Sequence, residues 1–215
     1  MPKIYLLRHG QSEANEQGIL AGPDNSIKLT QRGIKQSKLA AKHLHKINFQ
    51  KIYCSPISRC FETAEPLTKI RPDIKFQFHE DLREMNYGKW NGQKLENLSK
   101  KRDWKAIQTA PATFKFPEGE SFIQMRNRVQ NFLTEVSGLA GPILVISHGD
   151  VIKMFLTCTL NQPINTFQKF AITPASLSII EYSRANMSVI STNHRLGQSL
   201  ISDRLTKFLP GGENA

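Results

Sequence analysis

Two histidines in this sequence stand in the same local setting, which suits them to chemistry at one shared site. His9 and His148 each follow a short apolar run and precede a glycine, Gly10 or Gly149. In open α/β sheets, ligands bind beyond the carboxyl ends of the strands. A glycine there lets the backbone turn sharply and lets a bulky anion approach. Because imidazole titrates near neutral pH, the pattern predicts a functional pair, with carbonyl capping as the alternative for either histidine.

The elements that would position these histidines alternate between strands and helices. Short apolar runs predict strands at 4–7, 51–54, 74–78 and 143–146, and a closing hairpin from 177–182 and 187–191. Periodicity and capping signals predict helices from Thr30, from Ser55-Pro56 to a stop near Pro66, and over 121–136 and 150–160. This alternation indicates a single α/β domain with a mostly parallel sheet over residues 1–202, followed by a flexible tail, 203–215.

Composition narrows the classes of protein that need to be considered. The chain has 215 residues, of which 39% are hydrophobic and 22% charged, and no apolar run approaches the roughly 20 residues of a membrane span. We therefore expect a cytoplasmic protein. The formal net charge of +11 attracts anions such as nucleic acids, membrane surfaces or phosphorylated substrates. The basic residues are spread along the chain, however, and the three cysteines lack zinc-site spacing, so neither nucleic acid nor a metal is favoured.

Six short blocks, in order along the chain, resemble one known family. They are L-R-H-G-Q-S-E-A-N at 7–15, L-T-x-x-G at 29–33, S-P-x-x-R-x-x-x-T-A at 55–64, L-x-E-x-x-x-G-x-W-x-G at 82–92, G-E-S at 119–121 with Arg128-Val129, and S-H-G at 147–149. Together they resemble the signature of the histidine phosphatase superfamily, the phosphoglycerate-mutase-like proteins. This resemblance implies a three-layer sandwich in which helices flank a mostly parallel central sheet.

The resemblance also implies a role for each matched residue. His9 would be the nucleophile that forms a phosphohistidine, and Glu84 would be the general acid that protonates the leaving group. The side chains that would hold the phosphoryl oxygens are Arg8, Asn15, Arg59 and His148, together with Gly149. The expected reaction is hydrolysis of small phosphomonoesters, with no metal and no cofactor. The expected partner is a small phosphorylated metabolite, and a homodimer is left open.

Three alternatives stay open from the residues alone. A thiolate phosphatase loop at Cys54 to Arg59 has one residue too few between the cysteine and the arginine and lacks the glycines of a phosphate cradle. A phosphoglycerate mutase is disfavoured because only 64 positions separate Glu84 from His148, which leaves little room for a lid. A basic nucleic-acid-binding or non-catalytic relative is disfavoured because the matched residues are intact. We expect substrate selectivity to come from segments 17–25 and 94–119.

Overall fold

The computed structural model describes residues 2–182 and 187–197, and its centre is a six-stranded mixed sheet. The strands are β1 (Lys3–Arg8), β2 (Lys51–Cys54), β3 (Lys75–Phe78), β4 (Ile143–Ser147), β5 (Ser176–Tyr182) and β6 (Met187–Arg195), in the spatial order β3-β2-β4-β1-β5-β6. The first four strands pair in parallel, whereas β5 and β6 are antiparallel. The predicted α/β fold is confirmed, and the predicted tail, 203–215, lies outside the described residues.

Helices cover both faces of the sheet. They are α1 (Glu13–Gln17), α2 (Gln31–Leu44), α3 (Ser58–Ile70), α4 (Leu95–Leu98), α5 (Arg102–Thr109), α6 (Phe122–Val136) and α7 (Gly149–Thr159), with short 3-10 turns at Glu80–Leu82, Gly88–Trp90, Pro111–Thr113 and Ile164–Lys169. Alternate residues of β4 belong to two separate cores: Ile143 and Val145 pack with α6 and α7, and Leu144 and Ile146 pack with α2 and α3. Burial on both faces explains why β4 is apolar almost throughout.

Helix α3 differs from its prediction at both ends. It begins at Ser58, with Ile57 at the N-cap position and no side-chain cap, rather than at Ser55-Pro56. The Ser55 hydroxyl accepts the backbone N–H of Ile57 at 3.4 Å, as a cap would, and also lies 2.8 Å from a ring nitrogen of His148, so it combines a local contact with a tertiary hydrogen bond. The helix also continues past Pro66 to Ile70. Burial of one helical face against the sheet and α2 offsets the single backbone hydrogen bond that a proline removes.

Strand β3 and the region after it also depart from the prediction. β3 lies at the edge of the sheet and begins one residue later than predicted, at Lys75, and neither of its faces is fully covered. Helices α4 and α5 lie in a segment where no helix was predicted. None of the helices within the described residues combines the length and apolar character that crossing a bilayer requires.

Candidate active site

The parallel strands β1, β4 and β2 end at the same edge of the sheet, and the predicted site residues meet there. Arg8 ends β1 and His9 follows it, while His148 follows β4. The register pairs Arg8 with Ser147, which brings the two histidine rings to a centroid separation of 5.2 Å. Arg59, from the first turn of α3, is 1% exposed. Glu84 Oε2 lies 3.8 Å from Nδ1 of His148. We call Arg8, His9, Arg59, Glu84 and His148 the phosphate floor, after the role that the family resemblance implies for them.

The glycines beside the two histidines serve close packing. A Cβ on Gly10 would come within 2.7 Å of the carbonyl oxygen of Gly33, so this glycine lets β1 approach the start of α2. Its φ is not in the left-handed region, and the expected role in a sharp turn and anion approach is replaced by this backbone contact. A Cβ on Gly149 would stand 3.3 Å from the guanidinium carbon of Arg8. Gly149 therefore makes room for Arg8 beside the helix start.

His9 is held as a neutral imidazole with one free nitrogen. Its Nδ1 is 2.7 Å from the carbonyl oxygen of Gly10, a contact that requires Nδ1 to carry the proton and donate. Burial, followed by the charges of Arg8 and Arg59, lowers the pKa of His9 well below its ordinary value. The proton on Nδ1 leaves Nε2 with a lone pair, and no hydrogen-bond partner for Nε2 occurs among the described residues.

Two side chains, Ser55 and Cys60, contact Nε2 of His148 and orient its ring. Its Nε2 lies 2.8 Å from Ser55 Oγ and 3.4 Å from Cys60 Sγ. The Ser55 hydroxyl also accepts the backbone N–H of Ile57 at 3.4 Å, which leaves its own proton free to be donated to His148. Burial and the nearby Arg59 lower the pKa of His148 well below its ordinary value. These contacts favour the neutral tautomer with the proton on Nδ1, the nitrogen that faces Glu84.

Both arginines are anchored while keeping donors free. Arg8 donates from Nη1 to the carbonyl oxygen of Ile172 at 2.6 Å. Arg59 donates to the carbonyl oxygens of Asp24 at 3.0 Å and Gly22 at 2.8 Å, in the loop after α1. Within the described residues, the Nε of each arginine is buried and has no hydrogen-bond partner. Buried unpaired donors are costly, and a bound oxyanion would satisfy them.

Glu84 sits where a substantial fraction of its carboxyl group is protonated near neutral pH. Burial, with a further contribution from the charge of Asp150, raises the pKa of Glu84 to about 7. Asp150 itself accepts the phenolic hydroxyl of Tyr87 at 2.8 Å and pairs with Lys153 Nζ at 3.1 Å. Although burial opposes it, the contacts with Lys153 and Tyr87 lower the pKa of Asp150. Asp150 therefore stays ionised and favours the neutral form of Glu84.

The loop that carries Glu84 is fastened at several points. Ser147, at the end of β4, donates its hydroxyl to the carbonyl oxygen of Leu82 at 2.8 Å. Arg128 pairs with Glu120 at 2.7 Å and donates to the carbonyl oxygen of Asp81. The G-E-S block and Arg128 therefore act on the site through the Glu84 loop.

Four members of the phosphate floor, Arg8, His9, Arg59 and Glu84, line a cavity of about 280 Å³, whereas His148 is fully buried and is not among its lining residues. Asn15 and Gly149 line it beside the floor, and the side-chain Oδ1 of Asn15 accepts the backbone N–H of Ser12, which leaves the side-chain amide N–H groups of Asn15 for the cavity. The outer lining is largely apolar. We call its four large rings, Trp90, Trp104, Phe116 and Phe122, the aromatic wall. Parts of both segments expected to govern selectivity, 17–25 and 94–119, line the cavity.

Comparison with known proteins identifies the family. A sequence model of the histidine phosphatase superfamily (branch 1) matches residues 4–195. The chain belongs to this superfamily. It is similar to phosphoserine phosphatase 1 of Hydrogenobacter thermophilus, with 29% identity over 200 residues that cover 90% of this chain and 92% of the relative.

Other similar proteins include both a mutase and a phosphatase. The 2,3-bisphosphoglycerate-dependent phosphoglycerate mutase of Thermoplasma acidophilum is 24% identical over 97% of this chain and 98% of its own. The structure of alpha-ribazole phosphatase from Shigella flexneri shares the fold, with a TM-score of 0.78 at 24% identity over 92% of this chain and 100% of that chain. This member of the histidine phosphatase superfamily has relatives that are named phosphatases. These relatives support its assignment as a hydrolase.

The sequence alone did not single out several residues that this superfamily member brings to the site. Tyr87, Asp150 and Lys153 form one network around Glu84, although Tyr87 and Asp150 are 63 positions apart. The one available signal was that Asp150 directly follows S-H-G. The local sequence around Ser55 indicates a helix cap, not a partner of His148.

For the thiolate alternative, burial raises the pKa of Cys54 well above its ordinary value, and the Cys54 thiol donates to the backbone at 3.2 Å.

Proposed function

We propose that the protein hydrolyses phosphomonoesters through a phosphohistidine on His9, with Glu84 as the general acid. The observation that carries this proposal is the state of His9: neutral, with Nδ1 committed to the Gly10 carbonyl and Nε2 free. A nitrogen lone pair among guanidinium groups is suited to attack a phosphorus atom whose oxygens those groups hold.

The first step would transfer the phosphoryl group to the enzyme. His9 Nε2 forms a bond to phosphorus while the bond from phosphorus to the ester oxygen breaks. Glu84 gives its proton to that oxygen, which leaves as an alcohol. Arg8, Arg59 and the Nδ1–H of His148 stabilise the phosphoryl oxygens as charge accumulates. The raised pKa of Glu84, about 7, supplies an acid that is protonated at the pH where His9 is neutral.

The second step would return the enzyme to its starting state. A water molecule attacks the phosphorus atom of the phosphohistidine and gives a proton to the Glu84 carboxylate. The bond from nitrogen to phosphorus breaks, and inorganic phosphate leaves. We include metal independence in the proposal, because permanently charged guanidinium groups supply the positive charge that a cation supplies in other phosphoryl-transfer sites.

Phosphate release from a panel of phosphomonoesters tests the proposal. The wild type should release phosphate, His9→Ala should lower turnover by at least about 10³-fold, and His43→Ala, an exposed histidine on α2, should match the wild type. Rapid quenching in base should trap on the protein a phosphoryl group that is stable to base and is lost on later acidification. Exchange between 2- and 3-phosphoglycerate with negligible phosphate release would establish the mutase alternative. Salt-dependent nucleic-acid binding that survives His9→Ala, without any phosphate release, would establish a binding protein.

A further inference from the structure

The cavity above the phosphate floor has an apolar character that the proposed chemistry does not require. In the aromatic wall, the rings of Trp90 and Trp104 are nearly parallel, at 13°, with centroids 6.5 Å apart. Phe116 meets Trp90 edge-on at 5.4 Å and lies 5.9 Å from Phe122. Leu20 and Ile172 continue the apolar lining. Trp90, Phe116 and Phe122 are only 1–4% exposed and back the half-buried Trp104. A phosphoryl group would touch only the floor, so Trp104 is the ring of this wall that offers most surface to the organic part of a substrate.

The charges that line the cavity likewise disfavour a second anionic group on the substrate. Apart from the two floor arginines, the only Lys or Arg among the described lining residues is Lys153. Its ammonium is 3.1 Å from Asp150 Oδ1 and 3.2 Å from Gln168 Oε1, so it is already paired. The Asp150 carboxylate at the same place would repel an anion. A carboxylate or second phosphate on the substrate would therefore meet no unpaired cation among the described lining residues, despite the net charge of +11.

We infer that the preferred substrates carry a single phosphate on an organic group with an apolar, ring-bearing body. This inference rests on the proposed function and specifies its substrate class. Burying a ring against the aromatic wall removes apolar surface from water, and a favourable edge or stacked contact adds to the gain. Phosphoglycerate would bury a carboxylate beside apolar rings and Asp150, and phosphoserine would bury both a carboxylate and an ammonium beside the same rings, which costs free energy in either case.

A matched pair of alkyl phosphates isolates the contribution of the wall. Propyl phosphate and 3-phenylpropyl phosphate have similar primary-alcohol leaving groups and differ in one ring. We expect kcat/KM, measured by phosphate release, to be roughly 10- to 100-fold higher for the phenylpropyl ester. Phosphoserine should give a lower kcat/KM than propyl phosphate. Equal values for the two alkyl esters, or a preference for phosphoserine, would overturn the inference while leaving hydrolysis itself established.

Wall variants show whether the preference arises at this surface. Trp104→Ala should lower the ratio of kcat/KM between the phenylpropyl and propyl esters by about tenfold. Phe78→Ala, which truncates a 48% exposed ring on the edge strand β3, is the matched control and should keep the wild-type ratio. Circular dichroism and thermal unfolding of both variants confirm that the fold is retained. An unchanged ratio in folded Trp104→Ala and folded Phe116→Ala would overturn the assignment to the wall.

A binding measurement separates this inference from the proposed function. 3-Phenylpropylphosphonate and propylphosphonate carry the same anionic head but cannot be hydrolysed at the phosphorus–carbon bond. Calorimetric titration should give the phenyl compound roughly 10- to 100-fold tighter binding to the wild type. If no ester is turned over but this preference holds, the proposed function fails and the ligand class stands. If hydrolysis occurs but the two phosphonates bind equally, the ligand class fails and the proposed function stands.

Discussion

The phosphate floor and the aromatic wall of one cavity are built in different ways. Four of the floor side chains follow buried strands or begin the long helix α3, with close backbone contacts such as that between Gly10 and Gly33, and Glu84 lies in a loop that Ser147 and Arg128 fasten. Three of the wall side chains come from a 3-10 turn, the short helix α5 and the loop that leads into α6, and Phe122 begins α6. Regular elements therefore hold most of the groups that would act on phosphorus, and mostly irregular segments face whatever is attached to the phosphate.

The two regions are nevertheless joined. Arg59 donates to the Gly22 and Asp24 carbonyls, so a floor residue holds the loop that lines one side of the cavity. That loop also pairs with the part of the chain between Trp90 and Trp104, because Ile19 forms an isolated β-bridge with Lys94. We expect substitutions of the floor arginines to affect all esters alike and substitution of Glu84 to affect esters according to the acidity of the leaving alcohol. Substitutions in the wall should affect esters according to the apolar surface of their organic group.

Removing the acid from the floor should give the largest effect that depends on the leaving group. In Glu84→Gln the side-chain amide cannot protonate the ester oxygen. We expect turnover of propyl and 3-phenylpropyl phosphate to fall by about 10²–10⁴-fold, and 4-nitrophenyl phosphate to be slowed much less. Steady-state kinetics on the three esters measures this, with Glu16→Gln, an exposed carboxyl on α1, as control. Equal slowing of all three esters would remove Glu84 from the acid role.

Replacing a floor guanidinium should lower activity without regard to the leaving group. Arg59→Lys keeps the charge but loses the planar fork and its contacts with the Gly22 and Asp24 carbonyls. We expect kcat/KM to fall by about 10²–10³-fold on aryl and alkyl esters alike. The exposed Arg32→Lys on α2 is the control. A loss confined to the phenylpropyl ester would instead place Arg59 with the wall.

Much of the floor could be predicted from the sequence because its order follows from local patterns. The apolar run at 51–54 became β2 over the same residues, and the run at 143–146 became β4 with one residue added. Parallel strands end at a common edge, so a histidine after each of two strands already implied a meeting place. The ordered family motifs supplied Arg59 and Glu84, which no periodicity could have brought to that edge.

The wall could not be predicted, because its order depends on contacts between distant residues. Helix α5 has eight residues and only one buried side chain, Ile107, so its apolar face is limited to Trp104 and Ile107 and is too short to mark it in the sequence. Trp104 is fixed by its stack on Trp90. The same reason explains Ser55, whose local context indicates a helix cap but whose hydroxyl has a partner 93 positions away. Tertiary hydrogen bonds of this kind override local preference.

The pH dependence should show how Asp150, where floor and wall meet, acts on the acid. The general acid must be protonated, so activity should decline as the pH rises through the pKa of Glu84, about 7. In Asp150→Asn the negative charge that raises this pKa is gone and Lys153 is left unpaired, and both changes favour ionised Glu84. The basic limb of kcat/KM should therefore move to lower pH than in the wild type. The exposed Asp73→Asn is the control, and an unmoved limb would show that burial alone sets the acidity of Glu84.

The smallest expected effect is that of removing metal ions, and it tests what gives the floor its affinity for phosphate. Two guanidinium groups, each with a buried Nε that lacks a partner within the described residues, offer fixed charge and fixed donors to a tetrahedral anion. If they replace a cation, EDTA should leave the rate within experimental error. Vanadate, which adopts the five-coordinate geometry of phosphoryl transfer, should inhibit with or without EDTA. Activity that EDTA abolishes and a divalent ion restores would mean that the arginines only supplement a metal, and the roles proposed for Arg8 and Arg59 would have to be redrawn.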